Sequence, residues 1–187
     1  MLLDFDATAD PTHGEQEGSY YQEHIYHPLV VFDGESGHLI GALLRYGNTH
    51  ASNSAVALLK RIVLRLRQRW PEVEIEMRAH GGFAVPALYD YCEAESITYT
   101  VGLITNPRLK ELACDLLAEA QESYDRKGEK VRLFSEGLYR AASWEHERRV
   151  VYKAEAMEEG TNTRFVVSTR SAGPKELYEF YARRGES

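Results

Sequence analysis

The sequence predicts an α/β fold in which helices flank a mixed sheet. Several short segments alternate apolar with polar residues, which is the period of a half-buried strand. Other segments place apolar residues three and four positions apart, as on a helix that packs one face against a sheet. Towards the end of the chain, strand-forming residues return between glycine-containing or polar turns.

Each element of the first half has its own sequence signal. In the opening strand, Leu3 and Phe5 alternate with two aspartates, and a later turn separates two apolar runs as in a hairpin. The predicted strands are Leu2–Thr8, Pro28–Phe32, His38–Arg45, 72–78 and Ile97–Leu103. The predicted helices run from a cap at Ser52 or Asn53 to Pro71, with Val56, Leu59, Ile62, Val63, Leu66 and Trp70 buried, and from about Pro86 to Ala94. This β-α-β-α-β order implies parallel strands covered by helices.

The second half is predicted to hold a long helix, a β-rich insertion and a last helix. Asn106 caps the long helix, Pro107 takes its first position and Gly128 ends it. The insertion spans residues 129–170, with strands at Lys130–Phe134, Arg148–Ala156 and Arg164–Ser168. The last helix follows Gly173 and Pro174, with Leu177, Tyr178 and Tyr181 at helical spacing. Because the chain opens in a strand and stops within this helix, we expect a partial domain, 1–187, that is truncated at both ends.

Composition restricts the classes of function. The 187 residues are 43% hydrophobic and 27% charged, which suits one globular domain. The net charge of 22 − 29 = −7 excludes nucleic-acid binding over the whole surface, so a DNA contact must be local. One basic stretch offers such a contact, with the solvated face of a helix as the alternative interpretation: Lys60, Arg61, Arg65, Arg67 and Arg69.

Targeting and cysteine signals are weak. Neither a signal peptide nor a run of about 18 apolar residues is found, so no membrane contact and a cytoplasmic location are expected. Cys92 and Cys114 lie beside apolar residues without a second pair at zinc-ligand spacing. Both are therefore predicted to be reduced thiols in the core.

Short blocks of the sequence resemble one known family. The blocks are Asp4–Thr8, Asp10–Gly14, Gln16–Gly18, Tyr26–Leu29, Arg65–Arg67, Trp70–Val73, Arg78–Phe83, Tyr91–Glu93, Gly102–Leu103, Asn106–Leu109, Arg148–Val150 and Arg164–Val167. Together, and in this order, they resemble the group-one DDE transposase domain of bacterial insertion sequences. The resemblance covers nearly the whole chain. It implies a ribonuclease H-like fold, in agreement with the predicted order of strands and helices.

The resemblance also implies a metal site for DNA chemistry. Members of this family use two aspartates and a glutamate to hold two magnesium ions, because magnesium prefers carboxylate oxygens and two ions stabilise the attacking and the leaving oxygen. Asp6 matches the first aspartate, and Asp4, on the same side of the strand, is the alternative ligand or a support. His80 stands where the family has its second aspartate. Asp6 and His80 thus mark the catalytic positions, although an imidazole is a poor substitute on magnesium.

The third carboxylate of the family follows an Arg-Gly segment on a helix and precedes an asparagine. This chain reaches Arg184–Ser187, so that glutamate is expected to be missing, with Glu186 as a substitute that comes too early by register. The resemblance therefore implies a transposase domain that cleaves and joins DNA in its intact relatives but is inactive in this copy. DNA at transposon ends is the implied partner, and Mg²⁺ is the cofactor of those relatives.

Three alternatives stay open. The chain could be a non-catalytic remnant that binds DNA, or one that pairs with itself or with an intact transposase and inhibits it. It could also be a pseudogene product without a selected role. An unrelated metal hydrolase could instead use the carboxylates Asp4, Asp6 and Asp10.

Overall fold

A computed structural model describes residues 1–12 and 25–186; the motif residues 13–18 lie outside this range, as do the side chains of Gly185 and Glu186. The strands are β1 (Leu2–Ala7), β2 (Asp10–Pro11), β3 (Ile25–Tyr26), β4 (Leu29–Asp33), β5 (Leu39–Leu43), β6 (Glu76–Ala79), β7 (Thr98–Leu103), β8 (Val131–Tyr139), β9 (Arg148–Met157) and β10 (Gly160–Ser168). The helices are α1 (Ala55–Arg69), α2 (Pro86–Ala94), α3 (Pro107–Leu112), α4 (Cys114–Lys127) and α5 (Pro174–Ala182), and two 3₁₀ turns cover Gly81–Phe83 and Arg183–Glu186.

Eight strands form one mixed sheet in the order β5-β4-β1-β6-β7-β10-β9-β8. Strands β1, β6 and β7 run parallel, as the β-α-β-α-β order predicts, and the other neighbouring pairs are antiparallel. The predicted β-rich segment forms β8, β9 and β10, which extend the same sheet beyond β7. Strand β9 therefore points in the same direction as β1.

One face of the sheet carries the main core. Leu3 and Phe5 of β1 lie in one buried cluster with Leu59 and Ile62 of α1 and Leu88 of α2. Further along the same face, α4 packs Ala120 against Ala154 and Ala156 of β9. Helices α1, α2 and α4 thus cover one side of the sheet.

The other face is covered by α5. Leu177 of α5 is buried against Val151 of β9 and Val166 of β10. Asp4 and Asp6 alternate with Leu3 and Phe5 along β1, so their side chains belong to this second face. The predicted site residues and α5 therefore share one side of the sheet.

Several local predictions need correction. Helix α1 begins after Ser54, which has φ 65° and whose side chain accepts no capping hydrogen bond, rather than after Ser52 or Asn53. Trp70 is not in the buried stripe but is 57% exposed, because Pro71 disfavours a helical conformation in the residue before it. Strand β6 begins at Glu76, since its partner β1 begins at Leu2, which pairs with Glu76.

The long second-half helix and its cysteine also differ from expectation. The helix is interrupted at Ala113, whose amide is shared between the carbonyls of Leu109 and Lys110. Asn106 caps it as predicted, accepting a hydrogen bond from the amide of Leu109. Cys92 is buried and free, but Cys114 is exposed because it opens α4 on the outer side. The prediction of two core thiols was therefore right for Cys92 alone.

Candidate functional site

Asp4 is locked in a buried ion pair. Its strand lies beside β6 with Asp4 opposite Arg78, so the two side chains meet on the α5 face. The guanidinium donates from Nε to Oδ1 at 2.7 Å and from Nη2 to Oδ2 at 2.6 Å. The side chains of Arg78 and Asp4 are only 3% and 6% exposed. Both carboxylate oxygens of Asp4 are thus occupied by a cation of the same chain.

Helix α5 closes this ion pair from above. Arg78 donates from Nη1 to the carbonyl oxygen of Phe180 at 2.6 Å, and its guanidinium lies 4.8 Å from the centroid of the Phe180 ring. The pair therefore ties β1 and β6 to α5. The prediction that Asp4 is a metal ligand stays a prediction, but a metal ion there would have to displace Arg78.

Asp6 and His80 lie beside each other at the open end of the same face. Nε2 of His80 is 3.6 Å from Oδ1 of Asp6, and the Asp6 side chain is 52% exposed. Nδ1 of His80 accepts a hydrogen bond from the amide of Gly82 at 3.0 Å and begins the 3₁₀ turn. Because Nδ1 accepts, the proton of the neutral ring is on Nε2, directed towards Asp6.

At Gly82, in the turn after His80, there is no space for a side chain. A Cβ at Gly82 would lie 2.5 Å from Cε1 of His80 and 2.9 Å from the side chain of Ala51. A glycine at this position therefore lets the His80 ring fold back over the turn. The ring also packs edge-on against Phe83, with 4.8 Å between centroids.

The surroundings of His80 disfavour its protonated form. Burial, and after it the charge of Arg184, lowers the pKa of His80 below its usual 6.5, with smaller contributions in the same direction from His27 and His50. Asp6 acts in the opposite direction without reversing the shift. His80 is thus a neutral imidazole at physiological pH in a surrounding that already contains cations.

Two residues of the C-terminal region join the site although sequence patterns did not indicate them. The hydroxyl of Tyr181 packs so closely on Gly102 of β7 that a Cβ there would overlap it. The guanidinium of Arg184 lies 5.6 Å from the centroid of the Tyr181 ring. Their approach depends on how α5 docks, which leaves no periodic signal in the sequence. Arg78, in contrast, could have been suspected, since parallel pairing of β1 with β6 places it opposite Asp4.

The described residues do not form a cluster of metal ligands. Within residues 1–12 and 25–186, no three His, Cys, Asp or Glu side chains are arranged to hold a metal ion. Asp10, which the hydrolase alternative required, lies exposed in β2, opposite Tyr26. Asp6 and His80 remain the predicted catalytic positions. Their proximity supports this prediction, but the described part of the chain adds no third ligand to them.

The residues of the predicted basic stretch lie on two sides of α1. Arg67 forms an ion pair with Glu95 at the end of α2, and Nζ of Lys60 lies 5.1 Å from the centroid of the Tyr91 ring. Arg61, Arg65 and Arg69 follow one another at four-residue spacing and form an exposed row. Among the described residues, none forms an ion pair with these three. Because α1 covers the Leu3 side of the sheet, this row lies on the opposite side from Asp6.

Comparison with known proteins identifies the class of the fold and then the family. A chain in the cryo-EM structure of a piggyBac transposase synaptic complex with hairpin DNA superimposes with a TM-score of 0.55 at 13% identity. The match covers 98% of this chain and 37% of that chain, so this chain spans little more than a third of its neighbour's length. The mixed sheet is therefore a ribonuclease H-like fold, as predicted.

The family follows from the whole sequence. Residues 1–187 match the family described as transposase DDE domain group 1, so the chain belongs to that family, and the predicted resemblance is confirmed. A search of curated proteins finds no match. No helix of the described residues is both long and apolar enough to cross a membrane.

Proposed function

We propose that this chain is a DNA transposase catalytic domain of the DDE family that has lost strand cleavage and keeps DNA binding. The observation that carries the proposal is the Asp6–His80 pair, in which an imidazole stands 3.6 Å from the carboxylate that matches the family's first ligand. Relatives that carry carboxylates in the equivalent positions are expected to use divalent metal ions for cleavage and strand transfer.

The donor set does not fit a pair of magnesium ions. Magnesium requires several oxygen ligands in near-octahedral geometry, whereas β1 offers a single exposed carboxylate, that of Asp6. Asp4 is neutralised by Arg78, and His80 presents a protonated Nε2. Arg184 adds a further positive charge near His80. These residues oppose the binding of a second cation, and we derive no catalytic step through one.

The loss of catalysis can be tested by metal titration and by DNA nicking. In calorimetric titrations, we expect no saturable Mg²⁺ binding by the wild-type chain at millimolar concentrations. We also expect a supercoiled plasmid to stay intact when it is incubated with the chain and Mg²⁺ or Mn²⁺. Metal-dependent nicking that disappears in Asp6→Asn would contradict the proposal, since it would require a working site at Asp6.

The exposed arginine row on α1 supports DNA as the retained partner. Arg61, Arg65 and Arg69 are exposed and form no ion pair within the described part of the chain, whose net charge over all 187 residues is −7, so they offer the local contact that an acidic protein needs. We propose that Lys60 and Arg67, which are held against α2, position this helix rather than contact phosphate. A cytoplasmic location and assembly with itself or with an intact transposase are part of the same proposal.

Duplex binding can be tested by salt dependence. Removing Arg61 and Arg65 as Gln variants should reduce the slope of log affinity against log salt by about 1.8, at roughly 0.9 per phosphate contact. The matched control is Arg126→Gln with Lys127→Gln, two exposed cations in the last turn of α4. If the two double variants showed equal slopes of log affinity against log salt, α1 would not be the duplex contact.

A further inference from the structure

A groove lies on the same face of the sheet as Asp6, between β8, β9 and α5. It encloses about 460 Å³, within the range of small-ligand sites, and is lined by Arg132, Phe134, Lys153, Lys175, Tyr178, Glu179 and Ala182. The strands supply its floor, because Phe134 of β8 pairs opposite Lys153 of β9. Helix α5 supplies its wall.

Cations dominate this groove. Three cationic side chains and one carboxylate line it, which gives +3 − 1 = +2 on a chain whose total charge is −7. Lys175 is 72% exposed, and among the described residues its one ion-pair partner is the Glu179 carboxylate, at 3.9 Å. Local excess of positive charge on an acidic protein indicates an anionic ligand.

The buried Glu155 holds two of these cations, Arg132 and Lys153, in place and offsets part of their charge. Burial alone would raise the pKa of Glu155, but bonds from Lys153 and Arg132 outweigh this and lower the pKa to about 2. Lys153 Nζ lies 2.6 Å from Oε2 of Glu155, and Arg132 Nε lies 2.8 Å from Oε1. The Glu155 side chain is buried beneath them. The carboxylate thus fixes two cations whose outer surfaces face the groove.

Aromatic rings stand between the cations. The rings of Phe134 and Tyr178 are 5.6 Å apart and inclined at 51°, and Nζ of Lys153 lies 5.1 Å from the centroid of Tyr178. Burial raises the pKa of Tyr178 to about 12, so its hydroxyl stays neutral. Both rings line the groove and are partly exposed. Alternation of cations with aromatic rings is the pattern of proteins that bind single-stranded nucleic acid.

The register of the sheet places the groove on the same face as Asp6. Phe5, Val101 and Val150 lie at one level across β1, β7 and β9. Lys153 therefore lies beyond that level in the same direction as Asp6 and on the same face. Four strand spacings separate β1 from β9, which corresponds to about 19 Å. The α1 arginines lie on the opposite face of the sheet.

We propose that this groove binds an unpaired strand of DNA, with its phosphates on Arg132, Lys153 and Lys175 and a base stacked on Phe134 and Tyr178. The proposal rests on the proposed function only for DNA as the partner; it does not require catalysis. It assigns single-stranded DNA to the α5 face and leaves duplex DNA to the arginine row of α1.

The test uses a fluorescently labelled oligothymidylate and a labelled duplex of equal length in anisotropy titrations. We expect Arg132→Gln with Lys175→Gln to weaken oligothymidylate binding about tenfold and to reduce its salt slope by about 1.4, at roughly 0.7 per contact. The control, Arg126→Gln with Lys127→Gln, removes the same charge from α4 and should leave that binding unchanged. Absence of oligothymidylate binding by the wild-type chain would overturn the proposal.

A second variant separates stacking from charge attraction. Phe134→Leu keeps an apolar side chain but removes the ring, and should weaken oligothymidylate binding at least fivefold. Phe134→Tyr should restore it, which also shows that the strand still folds. Unchanged binding by Phe134→Leu, or equally tight binding of polyglutamate, would overturn a nucleic-acid groove in favour of a general anion surface.

The same experiment keeps the two proposals apart. If the groove variants bind oligothymidylate normally while Arg61→Gln with Arg65→Gln loses duplex binding, the groove proposal fails and the proposed function stands. If duplex binding is absent in the wild-type chain but the groove variants lose oligothymidylate binding, the α1 contact fails and the groove stands.

Discussion

Asp4 and Asp6 are the same residue type on the same face of one strand, yet their surroundings are opposite. Asp4 is buried, bonded twice to Arg78 and covered by α5. Asp6 is half exposed, with His80 at 3.6 Å. The difference comes from β6 and the residue that follows it. Arg78 of β6 lies opposite Asp4, and His80, directly after β6, lies beside Asp6. Two residues further along the strand pair, a stabilising ion pair gives way to a position with the features of a functional site.

The comparison teaches that a pair of acidic residues at strand spacing does not by itself define a metal site. A neighbouring cation can convert one carboxylate into a structural group, and the strand end leaves the other free. The most direct way to separate these roles is to remove each partner in turn. The effect on folding should then be large for Asp4 and small for Asp6.

The largest effect is expected for the Asp4–Arg78 pair. Asp4→Ala leaves the Arg78 guanidinium buried without its counter-charge and should lower the free energy of unfolding by about 3–5 kcal/mol. Urea denaturation followed by circular dichroism measures the change. The control is Asp4→Leu with Arg78→Met, which removes both charges and should be less destabilising than Asp4→Ala. A loss below about 1 kcal/mol in Asp4→Ala would show that the ion pair is not structural.

A smaller but more informative effect is expected for His80→Asp. A second carboxylate beside Asp6 should repel it and lower the melting temperature in the absence of metal. Mg²⁺ or Mn²⁺ should then reverse this loss, since the new pair binds a cation in the folded state only. Thermal melts with and without metal measure both changes, with His80→Asn as the uncharged control. Equal metal response in the two variants would contradict a cation site at this pair.

The pH dependence of stability should distinguish His80 from its neighbours. Its pKa is lowered in the folded chain, so the unfolded chain binds its proton first as the pH falls. The stability of the wild-type chain should therefore decrease relative to His80→Gln as the pH falls through about 6.5, and the difference should become constant below the folded-state pKa. Urea denaturation at a series of pH values measures it. A relative gain of stability on acidification would show that Asp6 dominates the surroundings of His80.

The smallest effect is expected for Asp6→Asn. The exposed carboxylate bonds mainly to the amide of Ala7, so its loss should change the free energy of unfolding by no more than about 0.5 kcal/mol. The same urea titrations used for Asp4 measure it. A change of several kcal/mol would make the two aspartates equivalent and remove the contrast between them.

The local patterns predicted most elements and misplaced their ends. Alternation in β1 and the hairpin signal around Asp33 both correspond to observed strands, and Asn106 caps α3 as predicted. The start of β6 could not be predicted, because a strand begins where its partner begins. Trp70 was placed on the buried side although Pro71 had already signalled the end of α1. The candidate site was predicted at the level of residue types, since Asp6 and His80 were singled out through the family resemblance.

By itself, the sequence determined the α/β class and the family and singled out the candidate site positions, because periodicity and motif residues are local properties. Only the tertiary structure decided which carboxylate is free, since Asp4 meets Arg78 across 74 residues of chain. It also decided which cations share a face with Asp6. The arginines of α1 are close together in sequence but lie behind the sheet, whereas the groove cations come from separate elements and converge. Burial and strand register, rather than spacing along the chain, determine which charges meet.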